Sequence, residues 1–325
     1  MSDELIRDDL GHDIPDIDAG YRPNPAATER IVSSLPHGGE LIGAAPAWMG
    51  DGMTGDLMPY LSMYEVEVPG WKAKDAEPPY IPQVGNNCTS RGLGDGVDQL
   101  QFMSVADPPA DTSEAIEFRR VCIEAVYAFG LYKANMRGDG GCYGSAIAQA
   151  ANELGLVSYE MVGEPQEETR SRLSSWANNP SAIVTKYREA AAPFKVGEIA
   201  RVRTWEELCG AIANRAIVTM ASMVGFATPR DERGICRARG SWAHQMYIGG
   251  IIRSDGVETA VQFQSWGPNN PTGPRPFRLP SFAFRTLKAD VERQLSENDC
   301  WAIRLFPGFK KAPLPSRWTN TGWAS

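Results

Sequence analysis

The sequence predicts an α+β protein in which helices come first along the chain and strands follow. In the first half, apolar residues recur at helical spacing, as Leu93, Val97 and Leu100 do. From about residue 198 onward, the apolar residues form short runs that are typical of strands. These runs are residues 199–203, 216–223, 244–252, 259–263 and 301–306.

Three helices are predicted ahead of the strands and one among them. The first begins at Cys88, where polar, turn-prone residues give way to the periodic segment. An amphipathic segment at residues 112–134 follows, with a Thr or Ser as its cap. A third helix covers residues 146–154. After the first strand, residues 204–207 form a capping box that opens a helix at residues 208–214.

The two ends of the chain differ from the middle in their sequence pattern. Residues 1–80 are predicted to be an extended N-terminal arm, because prolines punctuate them and no periodicity is sustained. Apolar residues such as Trp48 and Met49 favour an arm that lies on a surface, either of this protein or of a neighbouring subunit. We expect the arm to stay attached and to avoid Cys88. Residues 307–325, with Trp318 and Trp323, are predicted to be a C-terminal tail that docks.

Composition excludes several classes of function. The net charge of −8 over 325 residues, without a clustered basic face, argues against nucleic-acid binding. No apolar run approaches the length needed to span a membrane. Three histidines and no Cys-x-x-Cys pattern argue against a metal site, and no cofactor fingerprint is present, so we expect no cofactor.

Cys88 is a candidate nucleophile because it is placed in the first turn of a predicted helix. Unpaired N–H groups and the positive end of the helix dipole favour thiolate over thiol at that position. A lone cysteine at a helix start is, however, usually a small buried apolar residue. A thiol nucleophile also needs a base, and His244 is the candidate, since it is the one histidine of three in a strand-like apolar context.

Cys88, His244 and the run Gln264-Ser265-Trp266-Gly267 occur in an order and spacing that resemble the papain-like cysteine peptidase superfamily, in an intracellular or phage-type form. The resemblance covers about residues 81–306. It implies two lobes with a catalytic cleft between them. Residues 81–197 would form a mainly helical lobe, and residues 198–306 would form a mainly antiparallel β lobe.

The resemblance also implies roles for individual residues. Cys88 would attack the substrate and His244 would move the proton, with the cysteine sulfur within a few ångströms of an imidazole nitrogen. Gln264 stands where the family has an asparagine and would orient His244. Gln83 would stabilise the oxyanion together with the Cys88 N–H, although its spacing from the cysteine is one residue short.

Four further residues are assigned to substrate binding by the resemblance. Gly140-Gly141, followed by Tyr143, is similar to the Gly-Gly segment that lines the family's substrate cleft. Trp266 would cover His244 and shield it from water.

The cysteines indicate a reducing compartment. Secreted members of the superfamily have a disulfide whose two positions are occupied here by Gly85 and Gly138. The N-terminal sequence has no signal-peptide apolar region. We therefore expect a cytoplasmic or virion protein without obligatory disulfides.

Two classes of function remain open on the sequence. The first is a thiol hydrolase acting on a peptide or amide substrate, which sequence cannot separate from acyl transfer to amines. The second is a structural protein, such as a phage virion component, that uses the papain-like fold as a scaffold. In that case residues 1–60 and 307–325 would contact copies of the chain or assembly partners. The resemblance also leaves open that the arm is an inhibitory propeptide, which would cross the active-site cleft and be cut away on maturation.

Overall fold

The computed structural model describes residues 20–34, 82–106, 118–163, 168–213, 216–267 and 270–305. Seven helices precede the first strand in these ranges. They are α1 (Pro25–Ser34), α2 (Cys88–Ala106), α3 (Ile123–Ala134), α4 (Gly144–Glu153), α5 (Tyr159–Val162), α6 (Arg170–Asn178) and α7 (Pro180–Ala191).

Helix α3 is the centre of the helical half. It packs against α2, α4, α6 and α7, and every residue from Ile123 to Leu131 is buried. A mostly apolar helix is expected in such a position, because this stretch exposes no face to water. Asn135 ends it in the left-handed conformation (φ 54°), with its N–H bonded to carbonyls of the last turn.

The second half is built on one six-stranded antiparallel sheet in the order β1-β6-β2-β3-β4-β5. Its strands are β1 (Val196–Arg201), β2 (Ile217–Phe226), β3 (Ala238–Ser254), β4 (Val257–Phe263), β5 (Ala283–Leu287) and β6 (Cys300–Leu305). Two helices, α8 (Trp205–Ala213) and α9 (Lys288–Leu295), also belong to this half.

Both faces of the sheet are covered by helices, as the alternating side chains of β6 show. In β6, Trp301 and Ile303 join the core shared with α2 and α3, whereas Cys300 and Ala302 join the core shared with α8 and α9. Successive strand residues point to opposite faces, so an almost wholly apolar strand is buried on both. Helix α2 packs on β3 and β2, which brings Cys88 to the boundary between the two halves.

The predicted α+β class and the order of helices and strands are confirmed. The helix predicted over residues 112–134 is wrong in part, because it begins only at Ile123. Val121 instead forms a bridge with Ser158, and the Cys122 N–H bonds the Val157 carbonyl at 2.8 Å. These long-range backbone bonds hold residues 121–122 extended despite their apolar side chains. Residues 112–117 lie outside the described ranges.

The described part of the N-terminal arm also differs from the prediction of an extended segment. Residues 25–34 form α1, which packs on α4. Asn24 caps it by accepting the Ala27 N–H at 3.0 Å, and Pro25 occupies the first helical position. Residues 1–19, 35–60 and 307–325, which belong to the segments where partner contacts were predicted, lie outside the described residues. None of the described helices is long and apolar enough to cross a membrane.

Candidate active site

Cys88 is the first residue of α2, as predicted. Its sulfur accepts the backbone N–H of Gln245 at 3.4 Å, and the N–H groups of Gly20, Thr89 and Cys88 also point toward it. Such donors favour the thiolate and lower the thiol pKa. The side chain is nevertheless 0% exposed, and burial outweighs the donors, raising the pKa of the Cys88 thiol to about 12. In this closed arrangement Cys88 is a neutral thiol.

His244 lies in β3, opposite Ser222 of β2. Its ring is 1% exposed and rests against the Trp266 ring, with the ring centroids 4.3 Å apart. The predicted cover of His244 by Trp266 is therefore present. Neither ring nitrogen has a hydrogen-bond partner among the described residues, so the predicted bond to the Cys88 sulfur is not formed. Burial without a partner lowers the pKa of His244 to about 3.

The backbone of the strand that carries His244 nonetheless contacts Cys88. The residue that follows His244 gives its backbone N–H to the sulfur. The strand carrying the imidazole thus lies directly against the first turn of α2. Both groups are neutral and buried, and no hydrogen bond joins them among the described residues.

Gln264 does not orient His244, and this prediction is corrected. Its side-chain amide donates to the carbonyls of Gly267 (3.1 Å) and Asn270, and its side-chain oxygen accepts the Trp266 N–H. The longer glutamine arm folds back on its own loop and satisfies that loop's backbone. Gln264 therefore shapes the loop that places Trp266 on the imidazole.

Gln83 connects the segment before α2 to this same loop. Its side-chain oxygen accepts the Ser265 hydroxyl at 2.6 Å, and its backbone N–H bonds the Ser265 carbonyl at 2.9 Å. Its amide nitrogen donates to the Gly85 carbonyl at 3.0 Å. The predicted oxyanion residue is thus held beside the Ser265-Trp266 turn.

The segment at Gly140 and Gly141 is covered by the arm. The Gly141 N–H bonds the Tyr127 hydroxyl at 2.9 Å, and the Gly140 carbonyl accepts from the Arg22 side chain. The backbone pairing at this edge is made one residue later, by Cys142, which the sequence prediction missed. Its N–H bonds the Gly20 carbonyl and its carbonyl accepts the Arg22 N–H, each at 2.8 Å.

The arm does not avoid Cys88, and that prediction is wrong. Gly20 approaches the residues before Cys88 so closely that a Cβ there would lie 2.1 Å from the Asn86 carbonyl oxygen. On the other side, a Cβ at Gly141 (φ +96°) would lie 2.6 Å from the Gly20 carbonyl oxygen. Two glycines facing each other allow this close backbone approach. Residues 20–22 therefore close the cleft over the sulfur.

Tyr21, between these paired residues, is 3% exposed, and its hydroxyl faces the carboxylate of Asp299. Asp299 also accepts the Gly144 N–H (2.9 Å), the Trp301 indole N–H (2.8 Å) and the Ser145 N–H. Burial raises the pKa of Asp299 to about 6, whereas these donors lower it. The sequence prediction missed both Tyr21 and Asp299.

Gln245 was also missed, although it adjoins His244. Its side-chain amide donates to the Thr89 carbonyl at 2.9 Å, which binds β3 to the first turn of α2. Gly92 and Gly144 leave room for it, since a Cβ on either would come within 3.1 or 2.7 Å of its side chain. Gln245 thereby fixes the sulfur relative to the strand that carries His244.

Beneath the same helix turn lies a buried polar group. Asn87 donates to Glu168, and the Arg91 guanidinium, 1% exposed, lies 3.6 Å from the same carboxylate. Burial raises the pKa of Glu168 to about 7, against the lowering effect of Arg91. Within the described ranges, no group of three or more His, Cys, Asp or Glu side chains could hold a metal ion. All six cysteines are free and buried.

No protein-family model and no curated protein sequence matches the chain. Solved structures do resemble it. Xylellain, a cysteine protease from Xylella fastidiosa, is 15% identical with a TM-score of 0.51, and the match covers 90% of this chain and 95% of that one. Procathepsin B S9 from Trypanosoma congolense is 8% identical with a TM-score of 0.49, and the match covers 87% and 90%.

Identity this low is evidence about the fold alone, and the likeness to xylellain extends over nearly the whole of both chains. It agrees with the α+β order of the elements and with the place of Cys88 at the start of a helix between the two halves. The chain has the papain-like cysteine protease fold.

Proposed function

We propose that the chain is a thiol hydrolase that cleaves peptide or amide bonds, with Cys88 as nucleophile and His244 as general base. The observation that carries the proposal is the setting of the Cys88 sulfur. It lies at the N-terminus of a 19-residue helix, is surrounded by backbone N–H groups, and touches the residue next to the buried imidazole. A buried structural cysteine needs none of these donors.

The chemistry follows the usual course of a thiol acyl transfer. His244 takes the proton of the Cys88 thiol as the sulfur bonds the carbonyl carbon of the substrate. The carbon–nitrogen bond then breaks, and His244 gives the proton to the leaving amine. Water, deprotonated by the same imidazole, attacks the thioester and releases the acid and the thiol. Gln83 and the Cys88 N–H would stabilise the oxyanion in both halves.

The closed arrangement must open before this reaction can run. Residues 20–22 exclude water from Cys88, and burial opposes the charged forms of both Cys88 and His244. If the segment moves away, water reaches the sulfur while the N–H groups of Cys88, Thr89 and Gln245 remain on the body. With burial reduced, these donors lower the pKa of the Cys88 thiol and favour the thiolate.

Activity should therefore depend on the arm. The test uses an arm-open variant, the full chain with Gly20→Ala and Tyr21→Ala, whose new Cβ at position 20 collides with the Asn86 carbonyl. We expect the arm-open variant to hydrolyse a library of fluorogenic peptides at least about tenfold faster than the unaltered chain. Cys88→Ser in the arm-open variant should abolish this activity. Absence of hydrolysis by the folded arm-open variant would refute the proposal.

Acyl transfer and a structural role are distinguished by the same variant. Adding an amine to the reaction tests for transfer, which would give an amide product in place of the acid. A scaffold would show no reaction of either kind. Where the structure describes the arm, at residues 20–34, it packs on the chain's own body.

A further inference from the structure

The space that holds the Tyr21 side chain has the form of a side-chain binding pocket beside the nucleophile. The backbone on either side of Tyr21 pairs with the backbone N–H and carbonyl of Cys142, as an added strand would. The Gly20 N–H points to the Cys88 sulfur. A short stretch of the arm thus occupies the place that a peptide must take to reach the thiol.

The pocket ends in a charged acceptor. Asp299 is 2% exposed and accepts three N–H groups from the body, from Gly144, Ser145 and Trp301. A carboxylate has about four acceptor sites, so one remains for the group that fills the pocket. In the closed chain the hydroxyl of Tyr21 faces it.

Resting on the proposed hydrolase function, we propose that this pocket selects substrates that carry a tyrosine side chain, with Asp299 as the residue that reads its hydroxyl. The arm shows the fit, because its own tyrosine is almost fully buried there with the hydroxyl facing Asp299. Phenylalanine would fill the same space but leave one acceptor site of a buried carboxylate without a donor. Such an unsatisfied site is costly, and a hydrogen bond to a charged group is stronger than a neutral one.

The orientation of the arm does not restrict the inference to one chain direction. The Cys142 N–H and carbonyl can pair with a peptide that runs either way, since parallel and antiparallel ladders use the same two groups. The segment in the structure runs parallel to Cys142. The inference therefore concerns which side chain enters the pocket.

Binding of short peptides to the arm-open variant tests the inference without requiring catalysis. The probes are two capped pentapeptides, Ala-Gly-Tyr-Arg-Pro and the same sequence with Phe in place of Tyr, and isothermal titration calorimetry gives their Kd values. We expect the tyrosine peptide to bind about tenfold tighter or more. Because the comparison changes the peptide, the pocket itself stays intact.

Asp299→Asn in the arm-open variant is the matched protein variant. It keeps the size of the side chain, and it should reduce the tyrosine preference to less than about threefold. If this variant does not fold, which its circular dichroism would show, the peptide comparison alone decides. Equal binding of the two peptides, tighter binding of the phenylalanine peptide, or no binding of either would overturn the inference.

The outcomes also separate the inference from the function on which it rests. A tyrosine preference in binding, with no hydrolysis of any peptide by the arm-open variant, supports the pocket and contradicts the proposed hydrolase. Hydrolysis without a tyrosine preference supports the hydrolase and overturns the pocket.

Discussion

Replacing His244 by Asn should change how the stability of the protein depends on pH. In the folded chain, burial without a hydrogen-bond partner holds the pKa of His244 at about 3, whereas an unfolded histidine has a pKa near 6.5. Between these values the unfolded state binds a proton that the folded state refuses. Lowering the pH through this window therefore favours unfolding through His244.

The size of the effect follows from the two pKa values. At pH 5 the unfolded histidine gains about 2 kcal/mol from protonation while the folded one gains almost nothing, and at pH 7.5 both contributions are close to zero. The unfolding free energy of the unaltered chain, minus that of His244→Asn, should therefore be lower at pH 5 than at pH 7.5 by about 2 kcal/mol. Taking the difference removes the pH dependence of groups that the two chains share.

Urea denaturation at the two pH values measures this difference. Ser222→Ala is the control, because Ser222 pairs with His244 across the sheet, is buried and does not titrate in this range. Its difference from the unaltered chain should stay constant. If the His244 difference is instead higher at pH 5, the folded imidazole holds a proton there, and our account of a neutral closed site is refuted.

Three other substitutions test separate parts of the site. Gly144→Ala would bring a Cβ within 2.7 Å of the Gln245 side-chain oxygen and should destabilise the chain by about 1–3 kcal/mol in urea denaturation, and an unchanged midpoint would contradict the close packing. Trp266→Ala should let water reach His244 and raise its pKa toward 6.5, as followed by NMR titration of the imidazole, and a pKa that stays near 3 would contradict it. Arg22→Ala removes the bond to the Gly140 carbonyl and should increase alkylation of the active-site thiol less than the arm-open substitutions do, because the bond it removes is exposed.

The sequence indicated the architecture well where the evidence was local. The change from polar, turn-prone residues to helical spacing placed the start of α2 at Cys88, and strand-like runs predicted most of the sheet. Helix α1 carried a local signal as well, an asparagine cap followed by Pro25, but the surrounding prolines masked it. Val121 lay in an apolar segment with helical spacing, and its extended form depends on a bridge to distant Ser158.

The contacts among the site residues could not be predicted from the order and spacing of those residues in the sequence. A Gln-Ser-Trp-Gly run suggests a partner for His244, but the direction of the Gln264 amide depends on carbonyls that the folded loop presents. The seat of Tyr21 is assembled from residues more than 100 positions apart, so neither Tyr21 nor Asp299 stands out locally. The direction of Gln264 depends on the folded shape of its own loop, whereas the position of Tyr21 depends on long-range pairing.

The central claim is that Cys88 is a nucleophile kept closed by residues 20–22 and served by His244. Alkylation by iodoacetamide at pH 6, with each cysteine followed by mass spectrometry, tests it most directly. All six cysteines of the unaltered chain are buried and should react slowly. In the arm-open variant Cys88 should become the fastest by about tenfold or more, and adding His244→Ala should remove that advantage. If Cys88 in the arm-open variant reacts no faster than the other five cysteines, it is not an activated nucleophile and the account is contradicted.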